Sequence, residues 1–420
     1  MLQRPAKVST STSARWTFII APGSGASCRV DHRPRRGCSS GRFQVRRLAR
    51  GPHRFTLRVR PAVRRHSAGR SITQTWRVVA KAPTVTFAQA EAPAGPARRV
   101  LWGSYVVGST WGFAANPPWD MRSLDAFEAD AGGKQASILH FGQPWYVAGA
   151  AQPFYAAPLD AVRSRGAIPL VDWCSWNTSS GGSATQPEFQ LAGIIRGDHD
   201  PMIRAWAEGA KAWGKPFFLR FDHEMNGAWY PWSETANGNS TGEYALAWRH
   251  VHDIFTSVGA TNVTWVWSPN VTSKRSQPLD GLYPGDAYVD WVGMDGYNWG
   301  PNPVRHAAPW ISFARLFGPT YDTLGTLAPT KPVMIAEIGT SEYGGSKARW
   351  IADALSASTL DAFPRIGALV WFNWAPEGVD WKIESSPAAQ SAFATSIASP
   401  RYAGAEFGAI TGSAIARLEE

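Results

Sequence analysis

Two glutamates that follow apolar segments are the residues of this chain best suited to chemistry. Glu224 comes shortly after Phe217–Phe221, and Glu337 comes directly after Val333–Ala336. A carboxylate at the end of a buried strand is costly unless it has a partner or a role. Two that face each other can hydrolyse a glycosidic bond, because one protonates the leaving oxygen while the other attacks the anomeric carbon. The alternative is that both belong to structural ion pairs, with Arg220 as the available cation.

The elements that must position these glutamates lie between residues 99 and 402, where short apolar segments alternate with helical patterns. The predicted strands are Leu101–Val106, Ala136–Phe141, Ile168–Trp173, Phe217–Phe221, Val263–Trp267, Val289–Met294, Val333–Ala336 and Ala368–Phe372. Eight strands alternating with helices predict an α/β fold, a (β/α)8 TIM barrel, with catalytic residues at the carboxyl ends of its strands. A doubly wound sheet is the alternative, which the lack of a glycine-rich phosphate loop after any strand disfavours.

The first hundred residues have a different pattern. Apolar and basic residues alternate along Arg54–Arg60, as in a half-buried strand, and turns rich in Gly, Pro and Ser separate similar segments. A small all-β sandwich is therefore predicted for residues 1–82, preceding the barrel. The order of Cys28, Cys38 and the segment 51–55 resembles the immunoglobulin-like modules that bacterial surface and secreted proteins carry as spacers. We predict a linker over 83–98, the barrel over 99–402 and a C-terminal tail over 403–420.

The charge is distributed as unevenly as the pattern. The chain has 42 Lys and Arg against 32 Asp and Glu, but residues 1–100 hold 21 of the basic residues against Asp31 and Glu91 alone. The overall charge of +10 therefore does not indicate that the whole protein binds nucleic acid, and we expect no nucleic-acid partner. The basic module is expected to present a solvated spacer face. The alternative is that its arginine-rich strands bind nucleic acid or acidic wall polymers, and so attach the protein weakly to an anionic cell surface. No apolar run is long enough for a transmembrane helix.

The three cysteines indicate the cellular compartment in which the protein acts. Cys28 and Cys38 lie ten residues apart in the small basic module, where a disulfide would support a limited core, and Cys174 is expected to be a buried thiol. No signal peptide follows Met1. If the pair forms, the protein is expected to be secreted or cell-surface bound, with its true start upstream of this methionine.

Several motifs resemble those of glycoside hydrolase family 26. The run from Arg220 to Trp232, which contains His-Glu-Met-Asn-Gly, closely resembles the acid/base segment of that family. The segments 265–270, 295–299 and 336–339 are similar to its later motifs and follow in the same order, so the resemblance spans roughly residues 100–400. That family contains mainly β-mannanases, with some β-1,3-1,4-glucanases and β-1,3-xylanases.

The resemblance implies roles for individual residues. Glu224 would be the general acid/base and Glu337 the nucleophile, with net retention of anomeric configuration. The other positions implied are Tyr297 as hydrogen-bond donor to the nucleophile, His140 and Trp229 at the cleaved sugar, and Trp371 as a stacking floor there. His223 is expected to orient the site, or else only to pack.

Further site residues follow from the pattern of the chain. Arg220 shares a strand face with Asp222 and Glu224, so it should point inward and influence both charges, or pair structurally with Asp222. Five tryptophans are candidate sugar platforms, of which about half should be core: Trp145, Trp176, Trp232, Trp299 and Trp374. His199 is interpreted as part of a turn and helix cap rather than a metal ligand, and neither a metal nor another cofactor is expected.

The sequence therefore predicts a secreted, monomeric, retaining endo-β-1,4-mannanase that acts on a polysaccharide without a cofactor. A mixed-linkage β-glucanase or β-1,3-xylanase of the same family is the alternative enzyme. A non-catalytic cell-wall carbohydrate-binding protein is the alternative from another class, because a blocked cleft would not show in the sequence.

Overall fold

The computed structural model describes residues 8–9, 12–20, 24–60, 70–78, 98–273, 275–305, 308–412 and 414–418. The chain forms two compact units, Met1–Pro93 and Ala94–Glu420. The predicted linker lies outside the described residues except for its last position.

The described part of the first unit is built from strands joined by turns and loops. The strands are β1 (Val8–Ser9), β2 (Ala14–Thr17), β3 (Gly25–Val30), β4 (Arg36–Gly37), β5 (Arg42–Val45), β6 (Gly51–Arg60) and β7 (Arg70–Val78). One sheet has the order β1-β7-β6-β3-β4, and β2 pairs with β5 in a second sheet. Trp16, Phe55 and Trp76 pack between them, and a disulfide joins Cys28 to Cys38. The all-β prediction is confirmed, and the immunoglobulin-like topology stays a prediction.

The second unit contains a closed barrel of eight parallel strands. These are β8 (Val100–Val106), β9 (Ile138–Val147), β11 (Ile168–Asn177), β12 (Phe217–Phe221), β13 (Val263–Trp267), β14 (Trp291–Asn298), β15 (Val333–Thr340) and β16 (Ile366–Asn373). Each pairs with the next, and β16 returns to β8. Two short strands, β10 (Ala150–Ala151) and β17 (Tyr402–Ala403), extend it at β9 and β8. The TIM-barrel prediction is confirmed.

Helices cover the outside of this barrel. They are α1 (Arg122–Asp130), α2 (Ala156–Ser164), α3 (Leu191–Arg196), α4 (Asp200–Trp213), α5 (Glu243–Val258), α6 (Phe313–Leu327), α7 (Lys347–Ala354), α8 (Ala357–Ala362) and α9 (Pro387–Ile397). Capping contacts mark two of their ends. Gly214 terminates α4 with a φ of 69°, and the Ser240 amide donates to Glu243 Oε2 (2.7 Å) before α5. Among the described residues, no helix is long and apolar enough to cross a membrane.

The barrel has an inner core layer and an outer one, and side chains alternate between them along each strand. On β16, for example, Ala368 and Val370 lie in the inner layer, while Leu369 and Trp371 lie between barrel and helices. The segment after β17 covers the amino-terminal end of the barrel. There Phe407 and Ile415 pack against the inner layer, and the Trp291 indole donates to the Ile415 carbonyl (2.7 Å).

Candidate active site

The acid candidate Glu224 is held by an unusual turn at the end of β12. Asp222 and Glu224 have φ angles of 40° and 54°, a left-handed conformation uncommon for residues with a side chain. The turn is fastened because the Glu224 amide donates to the Ser268 carbonyl (2.7 Å), and the Asp222 carboxyl accepts from the Ser175 amide (2.8 Å) and hydroxyl (2.7 Å). The strained backbone is therefore supported on both sides.

The Glu224 carboxyl is buried and accepts two hydrogen bonds. Asn270 donates to Oε1 (2.6 Å) and the Trp229 indole to Oε2 (2.7 Å). Gly227 allows the indole to fold back, because a Cβ there would lie 2.4 Å from its ring. Burial, followed by the negative charge of Glu337, raises the pKa of Glu224 to about 7, although both donors act in the opposite direction. Glu224 is thus suited to carry a proton near neutral pH.

Glu337 reaches the site through an irregularity in β15. The register with β16 shifts between Ile335 and Ile338, and this bulge turns Glu337 toward the barrel mouth directly after the inward-facing Ala336. Its carboxylate accepts hydrogen bonds from Arg220 and from the Tyr297 hydroxyl. Burial would raise the pKa of Glu337, but the Arg220 guanidinium outweighs it and holds that pKa below the ordinary value. Glu337 is therefore suited to remain ionised.

The two glutamates face each other at short range. Carboxylate oxygens of Glu224, Asp295 and Glu337 lie within 4.8 Å of one another. Retaining glycosidases hold their carboxyl groups about 5–5.5 Å apart, and inverting ones about 6.5–9.5 Å. This close approach favours direct attack by one carboxylate over the wider spacing that an intervening water requires.

Arg220 is a buried hub between three carboxylates. Its guanidinium donates to Asp172 through Nε (2.5 Å) and Nη2 (2.6 Å), to Asp295 through Nη1 (2.7 Å), and to Glu337. It points inward as the strand pattern predicts, but the alternative pair with Asp222 is not formed, since Asp222 accepts from Ser175. The acidic partners come from β11, β14 and β15, so this one side chain connects its own strand β12 to three others.

Arg220→Met is expected to destabilise the barrel by about 3–5 kcal/mol, because it leaves buried carboxylates without their cation. Denaturant unfolding measures the change. Arg204→Met is the matched control: this arginine is exposed on α4, and its loss should cost under about 0.5 kcal/mol. Equal stability of the two variants would show that the buried pairs contribute nothing.

Both predicted histidines lie beside this hub. His140 Nε2 is 2.8 Å from Asp172 Oδ2, and its Nδ1 is buried without a hydrogen-bond partner in the described part of the chain. His223 contacts the Tyr230 hydroxyl (3.3 Å) and the sulfur of Cys174 (3.8 Å), which is a buried free thiol as predicted. Burial and Arg220 lower the pKa of His223 to about 4, so its ring is neutral at pH 7.

The tryptophans divide between site and core. Trp229 and Trp374 are 48% and 38% exposed, and Trp176 and Trp299 are half-buried. The Trp299 ring is covered on one face by the Arg305 guanidinium, 3.6 Å from the ring centroid. Trp145 and Trp232 are completely buried and belong to the core. About half of the five candidate platforms thus remain available to a sugar.

The structure corrects the prediction for Trp371. This side chain is completely buried in the outer layer, edge-on to Phe393 of α9, and its indole donates to the Trp381 carbonyl (3.0 Å). Its strand position faces the helices, so it offers no surface to a sugar. The neighbouring Phe372 faces the mouth instead, stacked on Tyr105 with ring centroids 4.9 Å apart.

Three functional residues were not singled out from the sequence: Asp172, Asp295 and Asn270. A buried aspartate within the apolar run of β11 was the available signal for Asp172, by the argument that identified the two glutamates. The cluster also contains two groups with the geometry for a metal ion: His140 with Asp172 and Glu337, and Glu224 with Asp295 and Glu337. In the first group, Arg220 Nη2 contacts an atom of all three residues and supplies the positive charge.

Fold and site together define a (β/α)8-barrel protein with a paired-carboxylate site of the glycoside hydrolase type. The family model for glycosyl hydrolase family 26 matches residues 194–334, which include β12 to β14 and Glu224. This match, which covers part of the barrel, supports a glycoside hydrolase family 26 catalytic domain in the second unit.

The names of known proteins that are similar to this chain refer to different polysaccharide substrates. Endoglucanase H of Acetivibrio thermocellus is 39% identical over 243 residues, 57% of this chain and 25% of that protein. A mannan endo-1,4-β-mannosidase of Bacillus subtilis is 30% identical over 138 residues, 32% of this chain and 33% of that protein. The matches thus span a quarter to a third of these relatives.

A solved structure shows the same fold. The catalytic domain of an endo-β-1,4-mannanase from Bacillus sp. JAMB-750 superposes with a TM-score of 0.56 at 20% identity, covering 74% of this chain and 88% of that one.

Proposed function

We propose that this protein is a retaining endo-β-glycanase that hydrolyses β-1,4-mannosidic bonds. One observation carries the proposal: two buried glutamates within 4.8 Å have pKa values displaced in opposite directions, that of Glu224 upward and that of Glu337 downward. A protonated and an ionised carboxyl group side by side are the acid and the nucleophile of double displacement.

The geometry supports the following steps. Glu337 attacks the anomeric carbon while Glu224 passes its proton to the departing glycosidic oxygen, which leaves a glycosyl ester on Glu337. Glu224, now ionised, takes a proton from water, and that water attacks the same carbon and releases Glu337. Tyr297 and Arg220 hold the nucleophile in place through their hydrogen bonds to the Glu337 carboxylate.

A β-glucan is the second candidate substrate. The similarity to Endoglucanase H, at 39% identity over 243 residues, favours it, whereas matches named mannan endo-1,4-β-mannosidase support the mannan. Both polymers are β-linked pyranose chains that stack on aromatic rings such as those of Trp229 and Trp374, so the two catalytic glutamates serve either.

Release of reducing sugar from glucomannan, galactomannan, barley-type β-glucan and β-1,3-xylan tests the proposal, with Glu337→Ala beside the parent protein. Release from mannans that disappears in the variant is the expected result. Release only from a glucan or a xylan would retain the mechanism and replace the substrate. Tight binding without release by the folded protein would favour the non-catalytic carbohydrate-binding alternative.

The pH profile of kcat/KM should be bell-shaped. Glu224 must carry its proton, so activity should fall above about pH 7, and Glu337 must be ionised, so the acid limb should lie below the ordinary glutamate pKa of about 4.3. Glu337→Gln removes a negative charge and should lower the pKa of Glu224, which carboxyl NMR can follow. An unchanged Glu224 pKa in that variant would contradict the coupling.

We also propose that the protein acts outside the cell or at its surface. The disulfide between Cys28 and Cys38 supports this, because such bonds persist in oxidising compartments. Thiol labelling of the protein from its native source, before and after reduction, would test the pairing.

A further inference from the structure

The outward face of the five-stranded sheet in the first unit is lined with arginines. Along β6, Phe55 and Leu57 point into the core, while the alternate residues Arg54, Arg58 and Arg60 are exposed. The arginine face, as we name it, consists of Arg29 on β3, Arg35 before β4, and Arg54, Arg58 and Arg60 on β6. Its members are exposed except for the half-buried Arg35.

Three of these guanidinium groups lie close together. Arg58 on β6 is the cross-strand partner of Ser27 on β3. Ser27 lies two residues before Arg29, so both side chains are on the same side of β3 and Arg58 lies diagonally opposite Arg29. Burial and then the charges of Arg58 and Arg29 lower the pKa of Arg35, and the Arg35 Nη1 atom is enclosed with no hydrogen-bond partner among the described residues. Like charges so placed repel one another, and an external anion would relieve that repulsion.

The described part of this unit offers no such anion. Its one acidic residue there is Asp31, and both of its carboxylate oxygens are engaged, Oδ2 with His53 Nδ1 (2.7 Å) and Oδ1 with the Arg54 amide (2.7 Å). By contrast, Arg33 outside the face donates to two backbone carbonyls. The arginine face is therefore a surface of uncompensated positive charge.

The predominance of arginine over lysine indicates which kind of anion this surface would bind. Of the 21 basic residues in positions 1–100, 19 are arginine, whose planar fork binds phosphate through two parallel hydrogen bonds. Side chains on one face of a strand recur about every 6.8 Å, which suits repeated charges along a linear chain. We infer that the arginine face binds a polyol-phosphate polymer of the cell envelope. The Cys28–Cys38 disulfide, typical of exported proteins, favours that polymer over intracellular nucleic acid.

The test is binding of the full chain to a fluorescent poly(glycerol phosphate) over a range of salt concentrations. Arg29→Gln with Arg58→Gln removes two charges from the face. Arg15→Gln with Arg42→Gln removes two exposed charges from the other sheet and is the matched control. The first pair should weaken binding about tenfold or more and reduce the slope of log affinity against log salt by about 1.4, and the control pair should have a much smaller effect.

Several outcomes would overturn the inference. They are no binding at low salt, equal losses in the two double variants, equal binding of polygalacturonate, whose charges are carboxylates, and tighter binding of duplex DNA, which would indicate a nucleic-acid surface. Circular dichroism and thermal unfolding of each variant verify the fold. The readout does not involve hydrolysis, so it is independent of the function proposed for the barrel.

Discussion

Glu337→Ala is expected to lower kcat/KM on the polysaccharide substrate by more than about 10⁴-fold while the protein stays folded. The reaction loses the atom that forms the covalent bond to the sugar. The fold should survive because Arg220 keeps two carboxylate partners, Asp172 and Asp295. Initial rates of reducing-sugar release measure the loss, and thermal unfolding verifies the fold.

Adding azide to Glu337→Ala distinguishes the loss of the nucleophile from general damage to the active site. In the space that the Glu337 carboxylate leaves, azide should attack an activated aryl β-glycoside and give the glycosyl azide of inverted configuration. Glu208→Ala removes an exposed glutamate of α4 and should retain full activity. Substantial activity of Glu337→Ala without azide would assign the nucleophile to another residue.

Glu224→Gln should lower kcat/KM on polysaccharide by about 10²–10⁴-fold, because the glutamine cannot protonate the leaving oxygen. A dinitrophenyl glycoside needs no such proton, so its first step should remain close to that of the parent protein. The second step then becomes slow, since no base activates water. Rapid-mixing kinetics should show a burst of dinitrophenol, and mass spectrometry should show a sugar attached to Glu337.

The two substrates provide the internal control for Glu224. Equal losses on polysaccharide and on the dinitrophenyl glycoside would mean that the variant distorts the site rather than removing an acid. Glu208→Gln makes the same chemical change on exposed α4 and should alter neither rate.

The barrel could be predicted because its signals are local. Apolar runs and helical patterns indicated elements that the structure confirms, although several barrel strands extend four to six residues beyond their predicted carboxyl ends. The glutamates could be found for a related reason: an ionisable residue at the end of an apolar run conflicts with its surroundings unless it has a function or a partner.

What could not be predicted depends on contacts distant in sequence or on strand orientation. Asp172 and Asp295 lie 48 and 75 positions from Arg220, and no local pattern specifies that they meet. Trp371 was assigned as a stacking floor from the resemblance alone. Barrel strands are apolar on both faces, so alternation could not show that this residue faces the helices. The bulge before Glu337 likewise could not be predicted, because it interrupts the period-two alternation on which strand predictions depend.

Because of the left-handed backbone at Glu224, substitutions that make the protein more stable at this position would also remove its activity. Conformations such as those of Asp222 and Glu224 cost about 1–3 kcal/mol each, and asparagine or glycine adopts them more readily. Replacing the acid by one of these residues would thus relieve strain and a buried carboxyl group while it ended catalysis. Thermostability screens of this barrel would favour inactive variants at position 224, so directed evolution toward heat resistance needs selection for turnover in every round.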